Sequence, residues 1–99
     1  MNDSNKNLTM EIQSEVFEML IKHLQNKTNV QNIDLMNLAD FCRNCLSKWY
    51  VSAAKDKGLD ISYENAREIV YGMPYSEWKD LYQKEATKEQ LEKFNARNK

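Results

Sequence analysis

Apolar side chains recur along this chain every three or four residues, and short polar segments interrupt the rhythm at a few places. Such spacing gathers them on one side of a helix, whereas a half-buried strand would alternate. Thr9 is placed to N-cap a first helix running to about Gln25, with Glu11 near its positive end. On it, Ile12, Val16, Met19, Leu20 and Leu24 share one face, and Met10, Phe17 and Ile21 form a second stripe beside it. That combined arc is wider than one partner helix needs, so the helix is expected to touch two neighbours or another subunit.

Residues 26–33 are a polar connection, after which Asp34 or Asn32 caps a long central helix that reaches Lys57 and stops at Gly58. Leu35, Leu38, Cys42, Cys45, Leu46, Trp49 and Ala53 make its apolar arc, with Asn37, Asp40, Asn44, Ser47 and Lys55 opposite. Ser62 then caps a short third helix with Ala66, Ile69 and Val70 inward, ending at Tyr71-Gly72-Met73-Pro74. Proline cannot continue a helix but can open one, so a fourth follows through Trp78, Leu81 and Tyr82. Thr87-Lys88-Glu89-Gln90 has the form of a capping box and starts a last helix. Leu91 and Phe94 are the only large anchors of that helix, so it should fray or pack on a partner.

Composition sharpens this into a fold class. Two glycines, one proline and few β-branched residues argue for an all-α domain of four to five helices around the long one. Ninety-nine residues suffice for one domain with a real core: a disordered tail over 1–7 and a helical domain over 8–99. Fourteen basic against fifteen acidic residues, balanced in both halves, leave no basic stripe for phosphates, so no nucleic-acid partner is expected. No apolar run approaches a membrane span, and the polar start lacks the layout of a signal peptide. The expectation is a cytoplasmic protein with reduced thiols and no membrane partner.

The chemistry worth weighing begins with Cys42-Arg43-Asn44-Cys45, which holds both cysteines of the chain. On a regular helix the two thiols lie close enough to share an ion such as zinc, but structural zinc takes four ligands. His23, the one histidine, lies within the apolar face of the first helix and would make the set Cys42, Cys45 and His23; a symmetric dimer would supply four thiolates instead. Against this, Cys42 at the middle of an apolar arc, with Cys45 at its flank, reads as core packing. A thioredoxin-like role needs the first thiol at a helix N-terminus, and here Cys42 falls about two turns inside the predicted helix.

A polar flank of Asn37, Arg43 and Asn44 suits recognition of a carboxylate or a peptide backbone, or forms an ordinary solvated face. Trp49 and Trp78 have core spacing, whereas Tyr71 and Tyr75 flank a tight corner and could anchor an interface. There is no glycine-rich phosphate loop, no Ser-His-Asp set and no His-Glu-x-x-His, so nothing supports an enzyme strongly.

Several separated blocks between Asn29 and Thr87 resemble a bacterial family called Domain of Unknown Function 1244. They are Val30-Gln31-Asn32-Ile33-Asp34-Leu35-Met36-Asn37-Leu38-Ala39, Phe41-Cys42-Arg43-Asn44-Cys45-Leu46, Trp49-Tyr50, Ala66-Arg67-Glu68, Tyr71-Gly72-Met73-Pro74-Tyr75, Glu77-Trp78-Lys79, Tyr82-Gln83 and Glu85-Ala86-Thr87. The resemblance implies a small compact helical protein with a family-like core over 29–87, and implies no reaction. The leading expectation is therefore an interaction module that binds another protein or itself, as a homodimer through the first or last helix. The alternative is a zinc-type metal-binding protein built on the cysteine pair, with a thiol or redox enzyme third.

Overall fold

In the computed structural model, which describes residues 3–97, the helical rhythm becomes six helices with no strand among those residues. They are α1 (Asp3–Gln25), α2 (Asn32–Ala39), α3 (Arg43–Asp56), α4 (Tyr63–Tyr71), α5 (Tyr75–Tyr82) and α6 (Lys88–Arg97). Local signals place most of the ends. Ser62 Oγ accepts the Asn65 N–H at 3.1 Å, and Thr87 and Gln90 exchange bonds of 3.1 and 2.7 Å as a capping box. Gly72 takes a left-handed φ of 77° to end α4, and Pro74 opens α5.

Two expectations about helix boundaries are corrected. Thr9 does not start α1: its hydroxyl donates to the Asn5 carbonyl at 2.9 Å, a bond internal to a helix that begins at Asp3. Of the expected tail, then, residues 3–7 are helical, and residues 1–2 lie outside the described part. The long central helix is helical almost throughout but is two helices in series. Asp40 adopts φ 59°, and its N–H closes α2 on the Met36 carbonyl at 3.0 Å; Cys42 is extended at φ −152° and ψ 178°. Aspartate is among the few residues that enter the left-handed region without glycine, so the break carries no glycine or proline to announce it.

The core joins Ile21 and Leu24 of α1, Leu35 of α2, Leu46 of α3, Val70 and Tyr71 of α4 and Trp78 of α5, with Cys42 at the break. α3 packs chiefly on α4, and α2 on α6. The α3–α4 contact is made by small side chains: Ser47, Ala54 and Ala66 are all buried, which lets the two backbones approach. As a result α3 is turned relative to its expected orientation. Ser47 and Arg43 point inward, while Trp49 and Ala53 of the expected inner arc are exposed, as is Leu38 of α2. α6 is held on α2 by polar groups: Asn37 Nδ2 donates to the Gln90 carbonyl at 3.1 Å, Gln90 Nε2 to Asp34 at 2.8 Å, and Arg97 pairs with Asp40 at the end of α2.

Candidate functional site

The break between α2 and α3 puts Cys42 at the N-cap of α3, not two turns inside a helix. Its sulfur accepts the Cys45 N–H at 3.4 Å, and Asn32 Oδ1 accepts the Arg43 N–H at 3.2 Å, so two of the first-turn amides are satisfied by side chains. The two sulfurs stand 3.3 Å apart, and Cys45 Sγ lies 3.9 Å from Met36 Sδ. Cys42 is buried and Cys45 half-buried. Burial pushes the Cys42 thiol up from its ordinary value, with the Cys45 N–H pulling the other way. His23 does not join the pair, because it is exposed on α1. Among the described residues no three His, Cys, Asp or Glu side chains are grouped to hold one ion, so the zinc expectation finds no support here.

The expected recognition flank is interior. Arg43, expected on the side turned away from the core, is only 1% exposed. Its Nη1 donates to Asn32 Oδ1 at 3.1 Å, its Nη2 to the Lys27 carbonyl at 2.9 Å, and the guanidinium lies 4.9 Å from the centre of the Trp78 ring. None of the ion pairs among the described residues involves it, and burial lowers its pKa. Tyr71, expected as an interface ring, is also buried; its hydroxyl accepts from Asn32 Nδ2 at 3.0 Å and donates to Asn44 Oδ1 at 2.7 Å. Burial pushes its pKa up to about 12.

Arg43, Asn32, Tyr71 and Asn44 thus form one polar chain that ties the loop after α1 to α2, α3 and α4. Asn37 is half-buried against α6, and Tyr75 donates to Gln83 Oε1 at 2.8 Å with Arg67 stacked 4.0 Å from its ring centre. A cavity of about 340 Å³ opens beside this network between Asn32, Asn44, Tyr75, Trp78 and Lys84. The sequence signal for an inward Arg43 was faint: an arginine four residues before a small Ser47, on a face that only the α4 contact selects.

What faces solvent instead is apolar. Phe17, Ile21 and Leu24 turn α1 onto the body, which leaves the other stripe of that helix uncovered: Val16 is 58% and Met19 65% exposed, with Leu8 and Ile12 in line. On α3, Trp49, expected in the core, is 58% exposed and lines a groove of about 480 Å³ with Phe17, Leu46, Tyr50 and Ala53. Isolated exposed hydrophobes are ordinary, but here they form a stripe with helical periodicity next to an aromatic groove.

No helix among the described residues is long and apolar enough to cross a membrane. Comparison with curated proteins finds no match. The model of the family described as "Protein of unknown function (DUF1244)" matches residues 30–96, and the chain belongs to that family.

Proposed function

We propose that this member of the DUF1244 family is an interaction module whose docking surface is the uncovered side of α1, with a second copy of the chain as its occupant. The carrying observation is the stripe Leu8, Ile12, Val16 and Met19, exposed along three turns of one helix. Charge favours self-pairing in the antiparallel sense. Glu15 and Lys22 lie on the same edge of the stripe, two turns apart. An antiparallel pair brings like edges together, and the register that sets Glu15 against the partner's Lys22 puts the two-fold axis beside Met19. Val16 and Met19 then lie at the centre of the contact, with Ile12 and Leu8 towards the C-terminal end of the partner's α1. The helix dipoles then also oppose.

Fully burying such a side chain is worth about 1.5–3 kcal/mol. At the observed exposures, four residues on each of two copies give roughly 7–14 kcal/mol, against an association cost of about 4–15 kcal/mol. The net gain is at most about 10 kcal/mol, so the dimer is no tighter than tens of nanomolar and dissociates on dilution. Sedimentation equilibrium of the full chain over a wide concentration range tests this. Wild type is expected to move from monomer to dimer, and Val16→Glu to remain monomeric with unchanged melting behaviour. A wild type that stays monomeric near millimolar concentration, or a Val16→Glu variant that still dimerises, overturns the reading.

A further inference from the structure

In an uninterrupted helix, side chains three apart have Cβ atoms about 5–6 Å from each other, beyond the roughly 3.5–4.5 Å that a disulfide spans. The extended backbone of Cys42 removes that obstacle. It takes the first Cβ off the helical track, and the sulfurs already lie at 3.3 Å, inside the roughly 3.5–4.0 Å of ordinary apolar contact. About 1.3 Å of further approach reaches bonding distance.

We propose that Cys42 and Cys45 form a reversible dithiol–disulfide couple, oxidised by a low-molecular-weight disulfide and reduced by the corresponding thiol. The inference is independent of self-association. Cys45, half-buried, loses its proton and attacks one sulfur of glutathione disulfide, forming a mixed disulfide and releasing one glutathione, which takes up that proton. Cys42, buried beside it, then loses its proton and attacks the Cys45 sulfur, releasing the second glutathione. Two protein thiols are oxidised, one small disulfide is reduced, and both protons end on glutathione.

The order follows from access and from the burial that keeps Cys42 protonated, which suits it to the resolving step. Reversibility follows from the ring size. Only Arg43 and Asn44 separate the cysteines, so the bond constrains the unfolded chain little and stabilises the oxidised fold correspondingly little. Cys45 also directly precedes Leu46 and lies one turn before Trp49, two residues that line the exposed aromatic groove.

The test is to equilibrate the reduced full-length protein, without denaturant, in mixtures of glutathione and glutathione disulfide, quench with acid, and read intact mass and alkylatable thiols. The expected result is loss of two thiols and two hydrogen atoms per chain, no inter-chain cross-link, and full return in excess glutathione. Cys42→Ser should instead retain one glutathione on Cys45. In Cys45→Ser, Cys42 should react about tenfold or more slowly. Two free thiols persisting in excess glutathione disulfide would overturn the proposal. So would wild type accumulating the mixed disulfide or cross-linked chains.

Discussion

Gly72 offers a perturbation whose size can be worked from the structure, because Gly58 supplies its control. Both glycines have left-handed backbone, at φ 77° and 82°. An alanine at either position pays the left-handed penalty of roughly 1–2 kcal/mol. They differ in their surroundings. A Cβ on Gly58 would meet nothing within 4 Å, whereas one on Gly72 would stand 2.8 Å from Gln25 Cδ and 2.9 Å from its Oε1. Gln25 lies at the end of α1 and reaches across to the end of α4, where its Nε2 donates to the Val70 carbonyl at 3.1 Å and, more weakly, to that of Ile69 at 3.4 Å.

Relieving the clash moves this flexible side chain and forfeits a bond worth about 0.5–1.5 kcal/mol. Gly58→Ala should therefore cost about 1–2 kcal/mol and Gly72→Ala about 1.5–3.5 kcal/mol. In a Gln25→Ala background, Gly72→Ala should fall back to the Gly58 value. Urea unfolding of the four variants, with a check that the slope is unchanged, measures the cycle. Equal costs for the two glycines, or a Gly72 penalty that survives removal of the Gln25 side chain, would refute the claim that this contact seats α1 on α4.

Two further outcomes follow from the buried polar chain. Arg43→Lys keeps the charge but cannot reach both Asn32 Oδ1 and the Lys27 carbonyl, so it should lose about 1.5–3 kcal/mol in urea unfolding; wild-type stability would show that the fork is dispensable. Tyr71 is a neutral acid whose folded pKa, about 12, lies above its unfolded value near 10. Below pH 10 both states keep the proton and nothing changes. Between pH 10 and 12 the unfolded state loses it first, so stability falls as pH rises, by up to about 1.4 kcal/mol per unit. Melting curves over that range should be shallower in pH for Tyr71→Phe, and an unchanged slope would remove Tyr71 as the cause.

The all-α class and the ends near Ser62, Gly72, Pro74 and Thr87 were legible because capping and turn residues act locally, within three or four positions. The division at Asp40–Cys42 was not. Its signals are a left-handed aspartate and an asparagine ten residues back, Asn32, whose carboxamide reaches the start of α3. The facing of α3 was misread for a related reason. Periodicity weighs side chains by polarity, but here the tight contact selected Ser47 and Ala54 for their size, and Arg43 came inward with them. Once Arg43 and Tyr71 are interior, the expected recognition surface becomes scaffold, and Trp49 and Ala53 of the expected α3 arc become surface. The breadth of the α1 stripes, by contrast, could be read directly, although the division between them could not. Phe17 and Ile21 of one stripe and Leu24 of the other seat the helix, while Met10, Ile12, Val16 and Met19 are left over.

That leftover half of α1 has a thermodynamic character of its own. Residues 5–16 are all exposed, so tertiary packing gives their backbone hydrogen bonds little support. Twelve residues are about the length at which an isolated helix is only marginal in water. The segment is therefore the least supported part of α1, ordered by its anchored C-terminal turns, and anything that covered it would steady it. Its amide protons should exchange quickly in dilute solution and slow as concentration rises, while those of α3 and α4 keep one rate throughout. In such a protein, the act of association would be written into the secondary structure itself, at one end of one helix.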